Sequence, residues 1–130
     1  MKKKLLILIV AFNHEKFIKK VLDRINENLT NIYDVEILIN DDSSSDETLK
    51  ITKKYIKDNQ KKKFRYKILS NPINQGYGGN QKIGFLYAIK NDFDYVALVH
   101  GDGQYAPEYL EELLEPFVDK NNVDAVFGSR

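Results

Sequence analysis

Residues 35–48 read VEILINDDSSSDET, in which a short apolar run leads straight into two aspartates and a serine-rich turn. An apolar run of this length, bounded by turn residues, is typical of a buried strand. We therefore predict a strand over Val35–Ile39, followed closely by Asp41 and Asp42. Because neighbouring residues of a strand point to opposite faces, the two carboxylates need not have the same role.

The chain alternates such apolar strands with amphipathic segments, which is typical of a parallel sheet joined by crossover helices. Strands are predicted at Leu5–Val10, Val35–Ile39, Phe64–Leu69, Tyr95–Val99 and Ala125–Phe127. Helices are predicted at about residues 15–28, after the capping-box pair Ser44 and Glu47, at about 80–90, and along an apolar stripe at 109–117. The third strand alternates apolar and basic residues, so we expect it near an edge of the sheet.

The composition excludes several classes of protein. A chain of 130 residues is one domain, and 20 Lys and Arg against 19 Asp and Glu leave a net charge of +1, which argues against a nucleic-acid binder. The absence of cysteine excludes disulfides, thiol nucleophiles and Cys-ligated metal sites. The apolar run Leu5–Phe12 is far shorter than the ~18 residues that cross a bilayer, and no small-residue cleavage site follows it. A buried strand explains this run better than a secretory signal.

The carboxyl ends of the predicted strands meet at one edge of the sheet, where open α/β folds bind ligands. The loops that leave these ends read AFNHE, NDDSS, SNPINQGYGGN and HGDGQ. In the last loop Asp102 lies between two glycines, where a carboxylate is suited to a hard divalent cation on a diphosphate. A plain Asp-Gly turn at Asp102, and capping of the following helix by Asp41 or Asp42, remain open as alternatives.

Other polar groups lie in the same loops. His14 and His100 are each placed where they could act as a base or a ligand. Tyr77 and Tyr105 differ from the other tyrosines in lying in these loops as well. The glycine cluster at residues 76–79 lacks the spacing of a phosphate-binding fingerprint, so a metal ion is the expected partner of a bound diphosphate.

Four motifs follow one another in an order known from one protein family. Phe12–Glu15 is similar to a YNE-like segment, with His14 between the Asn and the Glu; Asn40–Thr48 is similar to VDDGSTDGT; Asn74–Gly84 is similar to a glycine-bearing N-x-G loop; and Val99–Glu108 is similar to LDADGQHPPE. With these motifs the chain resembles, over nearly its whole length, the N-terminal half of family-2 glycosyltransferases with the GT-A fold. The likeness is greatest to the branch of polyprenyl- and dolichyl-phosphate sugar transferases.

The resemblance implies an α/β, Rossmann-like GT-A nucleotide-diphospho-sugar transferase fold, with a mostly parallel sheet flanked by helices and residues 1–130 as the donor-binding part. It implies an inverting transfer of a sugar from a UDP- or GDP-sugar to a polyprenyl phosphate or a glycan, as in cell-envelope polysaccharide synthesis. The acceptor-binding part and any catalytic base are expected beyond Arg130, which would leave a truncated sheet that favours self-association. The expected location is the cytoplasm, at the inner face of the membrane in a longer parent.

The resemblance also implies roles for single residues. Phe12 would flank the nucleotide base, and Asp41 would accept a hydrogen bond from the ring N–H of that base. Asp102 would hold Mg²⁺ or Mn²⁺ on the diphosphate and so assist its departure, which makes it the expected catalytic residue. His100 stands where the family's DxD motif has its first Asp, so we expect a nitrogen ligand or an outer partner of the metal ion. The remaining expected nucleotide-sugar contacts are Asn13, Glu15, Asp42, Gly76, Lys82 and Gln104.

Two other functions share this fold class. A receiver-like phospho-acceptor module would need its acidic pair after the first strand and a lysine after the last strand, whereas here the pair follows the second strand. A sugar-1-phosphate nucleotidyltransferase would need a glycine-rich signature with a basic residue after the first strand, which the sequence lacks. The receiver-like module is the alternative function that the sequence leaves open.

Overall fold

The apolar amino-terminal run forms β1 (Lys3–Ala11), around which the other strands are arranged. A computed structural model describes residues 1–104, 106–120 and 122–128. The further strands are β2 (Tyr33–Asp41), β3 (Arg65–Ser70) and β4 (Tyr95–His100). The helices are α1 (Ile18–Asp23), α2 (Thr48–Asp58), α3 (Gly76–Lys90) and α4 (Leu110–Asp119), with 3₁₀ turns at Glu27–Asn31 and Pro107–Tyr109.

The sheet is parallel throughout, with the strand order β3-β2-β1-β4. This is the order found in a Rossmann-like sheet, so the predicted α/β fold class is confirmed. β3 is at an edge, as its alternating sequence predicts. In a receiver-like sheet the first strand lies between the second and the third. Here β1 pairs with β2 and β4, so the receiver-like alternative is wrong.

The two faces of the sheet pack against different numbers of helices. The odd-numbered residues from Leu5 to Ala11 face a core shared with α1, α2 and α4. The even-numbered residues from Leu6 to Val10 face a smaller core that includes residues of α3. At the usual ~25 cal/mol per Å² of buried apolar surface, each fully buried Leu or Ile side chain of β1 contributes about 2 kcal/mol.

Helix α3 lies close to the sheet at one glycine and is exposed on its outer side. A Cβ at Gly84 would lie 2.4–2.9 Å from side-chain atoms of Leu8, so only glycine fits at this crossing. On the outer side of the helix Phe85, Leu86 and Ile89 are 40%, 56% and 73% exposed. The outer side of α3, like the sheet face beneath the helix, therefore carries apolar side chains.

Three predicted helix starts differ from the structure. The first helix was expected from residue 15 to residue 28, but α1 is shorter because residues before Ile18 bind the neighbouring loop instead. The Ser44–Glu47 capping box is wrong: the Asp46 side chain accepts from the Thr48 N–H at 3.0 Å, where α2 begins. Helix α3 begins at Gly76, earlier than the expected residue 80, because side chains outside the helix bind its first turn.

The predicted fifth strand, Ala125–Phe127, is also wrong. These residues have no regular secondary structure, and Phe127 is 90% exposed. Of the three, only Val126 is partly buried, so the segment gains little from packing to offset the ordering of its backbone.

As for membrane insertion, the helices of the described residues include none with the length and apolar character that a bilayer crossing requires.

Candidate functional site

Asp41, the last residue of β2, lies at the rim where the strands end. It is 2% exposed and pairs in register with Ala11 of β1. Its carboxylate accepts two hydrogen bonds from Ser44, one from the hydroxyl at 2.5 Å and one from the backbone N–H at 3.2 Å. Ser44 therefore fixes the orientation of Asp41 instead of capping a helix.

Asp42, its neighbour, is 3% exposed and binds the other side of the sheet. Its Oδ1 accepts from Asn71 Nδ2 at 2.9 Å and from the backbone N–H of Gln75 at 2.7 Å. Because Gln75 directly precedes α3, Asp42 caps that helix across 33 residues of sequence. The alternative that Asp42 caps the helix that follows it, α2, is wrong; it caps α3.

A buried cluster of asparagine side chains continues this contact beneath α3. Asn71 Nδ2 also donates to Asn80 Oδ1 at 2.9 Å. Asn40 and Asn80 each donate from Nδ2 to the other's backbone carbonyl, at 3.2 and 3.0 Å. These asparagines are not among the site residues predicted from the sequence, although each lies at or beside a strand end or in the α3 motif. The cluster joins the ends of β2 and β3 to the first turns of α3.

The loops after β1 and β2 bind each other through polar side chains. Asn13, which has a φ of +53°, accepts at Oδ1 from the backbone N–H of Ser45 at 2.8 Å. Glu15 accepts at Oε2 from the N–H of Glu47 at 3.0 Å and donates its own N–H to Asp46 at 3.2 Å. Both side chains expected to contact a nucleotide thus also hold the two loops together.

Two side chains of this loop pair differ in exposure and charge. Phe12 is 45% exposed at the rim, so its ring is open to a planar ligand. Burial works against ionisation of Asp46, but hydrogen bonds from Thr48 and Glu15 outweigh it and hold the pKa of Asp46 below its usual value. The loop pair therefore carries a stable negative charge at Asp46 and an exposed aromatic ring at Phe12.

Tyr77, in the first turn of α3, contacts the end of β4. Its ring stacks on that of His100 with the centroids 5.0 Å apart, and its hydroxyl lies 2.6 Å from Nε2 of His100. Burial lowers the pKa of His100; nearby Asp102 opposes this effect and His14 adds to it. The glycine-bearing loop and the DxD-like loop are thus joined by an aromatic pair.

The turn after β4 is tightly packed on one side and open on the other. A Cβ at Gly101 would lie 2.7 Å from Nδ1 of His14 and 3.1 Å from the carbonyl oxygen of Val10, so this position has no room for a side chain. Asp102, which follows it, is half-buried and accepts at Oδ1 from the N–H of Gln104 at 3.0 Å. Asp102 is thus oriented by its own turn.

The other predicted site residues lie in α3 and in the turn after β4. Gly76 has a φ of +73° at the start of α3, where its N–H donates to Asn74 Oδ1 at 2.9 Å. Lys82 and Gln104 are exposed, Lys82 on α3 and Gln104 after Asp102. Tyr105 lies outside the described residues. Within the described part of the chain, His, Asp and Glu side chains form no group of three or more that could hold a metal ion by themselves.

The order of the strands sets the distance between the two aspartate loops. Asp41 pairs with Ala11 and His100 pairs with Val10, so β1 lies between the ends of β2 and β4. Neighbouring strands are about 4.8 Å apart, which separates those two strand ends by about 10 Å. Asp41 and Asp102 are therefore on one rim, on either side of the β1 end that carries Phe12.

Curated relatives match nearly the whole chain. UDP-N-acetylglucosamine–dolichyl-phosphate N-acetylglucosaminyltransferase of Methanococcus voltae is 32% identical over 137 residues, which cover 98% of this chain and 52% of that protein. The chain spans about half the length of the curated relatives it matches.

Solved structures of glycosyltransferases share the fold. The mannosyltransferase PcManGT from Pyrobaculum calidifontis, in complex with GDP-Man and Mn²⁺, superposes with a TM-score of 0.76 at 13% identity, covering 95% of this chain and 34% of that one. S. aureus TarS 1-349, in complex with UDP-GlcNAc, superposes with a TM-score of 0.66 at 23% identity, covering 89% of this chain and 31% of that one. These similarities confirm the predicted GT-A fold.

The sequence model of the family described as Glycosyl transferase family 2 matches residues 6–130, which is nearly the whole chain. The resemblance inferred from the four motifs is thereby confirmed, and the chain belongs to glycosyltransferase family 2.

Proposed function

We propose that residues 1–130 form the donor-binding part of a glycosyltransferase that transfers a sugar from a UDP- or GDP-sugar. The observation that carries this proposal is the placement of Asp41 and Asp102 on one rim, on either side of the exposed ring of Phe12. A nucleotide lying across the end of β1 would meet all three residues. The relatives named above, which include proteins bound to UDP-GlcNAc and GDP-Man, support a nucleotide-sugar donor.

On the β2 side the proposed ligand is the nucleotide base. Phe12 offers an exposed ring for stacking, and Asp41 offers a carboxylate whose orientation Ser44 fixes. A carboxylate accepts hydrogen bonds only, which suits the ring N–H of uracil or guanine. Asn13 and Glu15 contribute by holding the two loops in register, and Asp42 contributes by anchoring α3 and the glycine-bearing loop at Gly76.

On the β4 side we propose that Asp102 holds Mg²⁺ or Mn²⁺, with His100 beside it as nitrogen ligand or outer partner. The donor set fits such an ion, because Mg²⁺ is usually held by one or two carboxylates, substrate phosphates and water, not by a full cage of protein ligands. When bound, the ion would neutralise charge on the diphosphate. Lys82 and Gln104, both exposed, are proposed neighbours of the diphosphate and the sugar.

The proposed reaction is a direct displacement that inverts the configuration at the anomeric carbon of the sugar. The acceptor oxygen attacks the anomeric carbon from the face opposite the diphosphate. An oxygen of a lipid phosphate attacks as an anion, whereas a glycan hydroxyl loses its proton to a base. The bond from the anomeric carbon to the diphosphate oxygen breaks, and its electron pair leaves with the nucleoside diphosphate. The residues of this chain would bind the base, orient the diphosphate and favour the charge that develops on it.

The proposed function also includes an acceptor, a cellular location and self-association of the chain. The M. voltae relative, whose name includes dolichyl phosphate, supports a lipid-phosphate acceptor, with a glycan as the second candidate and cell-envelope synthesis as the setting. A lipid-phosphate acceptor would place the protein in the cytoplasm, at the inner face of the membrane. Self-association would use the apolar outer surface of α3, where Leu86 and Ile89 are exposed.

Calorimetric titration of the chain with UDP and with GDP, each with and without Mn²⁺, tests the proposed donor site. We expect one nucleotide to bind, more tightly with Mn²⁺ than without it. Asp102→Ala should remove the gain from Mn²⁺, and Asp41→Asn should weaken binding whether or not Mn²⁺ is present. Asp124→Ala, which changes an exposed aspartate near the end of the chain, is the matched control. A folded chain that binds neither nucleotide, or an Asp102→Ala variant that keeps the full Mn²⁺ effect, would count against the site.

A further inference from the structure

Arg24, directly after α1, contacts the loop that follows β4 at two points. Its Nε and Nη2 donate to the two carboxylate oxygens of Glu108, at 2.9 and 3.0 Å, and its Nη1 donates to the carbonyl of Gly103 at 3.4 Å. We propose that Arg24 is a positioning residue for Asp102: its guanidinium holds residues 103 and 108 on α1 and thereby fixes the turn that carries the Asp102 carboxylate.

The geometry of the guanidinium supports this role. A fork of N–H donors on planar nitrogens binds a carboxylate in two places at once, and here a third nitrogen is left for a carbonyl. Lysine has the same charge but a single nitrogen, so it could not make all three contacts. Gly103, with a φ of +77°, turns its carbonyl toward Arg24 in a conformation that residues with side chains rarely adopt.

The helix that presents Arg24 is a firm support. Val21 and Leu22, on the last turns of α1, are 0% and 2% exposed and belong to the main core. A Cβ at Gly103 would lie 3.8 Å from a methyl group of Val21 and 3.9 Å from Arg24 Nη1, so the turn also lies directly on this helix. The position of Arg24 is thus set by the core, and the loop is held against it.

The Arg24–Glu108 ion pair is exposed, as is the Lys54–Asp58 pair within α2, but the two differ in what they join. Lys54 and Asp58 are neighbours on one helix, whereas Arg24 and Glu108 are 84 residues apart. Exposed ion pairs contribute little to global stability, so a pair that joins a helix anchored in the core to the segment after β4 acts mainly on that segment. The hydrogen bond between them raises the pKa of Arg24 and lowers the pKa of Glu108, so both groups stay charged at neutral pH.

The consequence for binding rests on the proposed function of Asp102. A carboxylate held in place binds a ligand more tightly than one that must first be ordered. If the turn were released from α1, Asp102 and Gln104 would sample other positions, and the diphosphate end of the site would lose affinity. The base end, formed by Phe12 and Asp41, has no contact with Arg24 among those of the described residues and should be unaffected.

The first test is amide hydrogen exchange on the ligand-free chain. In Arg24→Gln we expect the N–H of Gln104, which donates to Asp102, to exchange about tenfold faster than in the wild type, while the amides of β1 keep their rates. Glu108→Gln should have a smaller effect of the same kind, and Arg24→Lys should not restore the wild-type rate. Lys54→Gln, which breaks the ion pair within α2, is the matched control and should change nothing near Asp102.

The second test is electron paramagnetic resonance of Mn²⁺ in the presence of UDP or GDP. Arg24→Gln should weaken Mn²⁺ binding about five- to tenfold and should weaken metal-free nucleotide binding by less than that. The inference is overturned if Gln104 exchange is unchanged in Arg24→Gln, or if the amides of β1 accelerate by the same factor, since the effect would then be global. A wild type that binds neither nucleotide nor Mn²⁺ would contradict the proposed function, and the exchange data would still decide the role of Arg24.

Discussion

The two aspartate loops at the rim are built in opposite ways. After β2, Asp41 and Asp42 are almost fully buried, and each accepts hydrogen bonds from named donors of the protein. After β4, Asp102 is half-buried and accepts from the backbone of its own turn. Burial of a carboxylate requires compensating hydrogen bonds. The Asp41 and Asp42 carboxylates therefore contribute to the folded structure, whereas the Asp102 carboxylate stays accessible at the surface.

The positions of the strands explain the difference. β2 is flanked by β1 and β3, and its loop is enclosed by the loops that follow those strands. β4 pairs with β1 on one side only among the described residues, and its loop contacts the rest of the molecule through Tyr77, His14 and Arg24. Variants in the first loop should therefore lower stability, with Asp41 also affecting nucleotide binding, whereas variants in the second should act on ligand binding and leave stability nearly unchanged.

The largest expected effect comes from Asp42→Ala. It removes the acceptor of the Gln75 N–H and one of the two acceptors of the Asn71 amide. Buried donors left unpaired cost about 1–3 kcal/mol each, so we expect a loss of about 2–4 kcal/mol in the free energy of unfolding. Urea unfolding followed by circular dichroism measures it. Asp102→Ala should change the same quantity by less than about 0.5 kcal/mol. Equal losses in the two variants would remove the contrast between the loops.

Gly84→Ala tests whether close packing of α3 on the sheet supports the first loop. The new methyl group would overlap the Leu8 side chain and push α3 off the sheet, at a cost of about 1–3 kcal/mol. Gly78→Ala, earlier in the same helix, meets no atom within 4 Å and should stabilise by about 0.5–1 kcal/mol through helix propensity. Thermal unfolding of the two variants side by side gives the comparison. A Gly84→Ala protein as stable as wild type would show that α3 is not held where it is.

Ser44→Ala tests a single side chain of the first loop. The substitution removes the hydroxyl that donates to Asp41 and accepts from the N–H of Asn13 at 2.9 Å, and we expect a loss of about 1 kcal/mol. Ser70→Ala, at the exposed end of β3, is the control and should be neutral. Chemical unfolding curves separate the two variants. If they coincide, Ser44 does not orient Asp41.

A pH dependence is also expected on the α3 side of the sheet. Burial, followed by the hydrogen bond to Glu36, raises the pKa of Tyr87 to about 12. The folded state therefore keeps this proton when the unfolded chain, with a tyrosine pKa of about 10, has lost it. The stabilisation is fully present below pH 10 and declines as the pH rises toward 12. The decline should be shallower in Tyr87→Phe, as measured by urea unfolding between pH 9 and pH 12, and identical slopes would contradict it.

The fold could be predicted further than the contacts within it. Alternating apolar runs predict the strands and their parallel arrangement, because a buried strand can be recognised from the apolar residues of the strand itself. Asp42 capping α3 could not be predicted, since its partner Gln75 is 33 residues away and backbone N–H groups carry no signature in sequence. The same holds for Arg24 and Glu108. The expected strand at Ala125–Phe127 failed because three apolar residues do not reveal whether a neighbour covers them.

Gly101 has a consequence for how this rim could change. The loop after β1 and the turn after β4 touch there through His14, with no space between them for even a methyl group. A bulkier residue at position 101 would be tolerated only together with a smaller one at position 14, so the two sites should show epistasis. The ends of β1 and β4 are thus coupled. A larger residue at position 101 in one loop requires a compensating substitution at position 14 in the other.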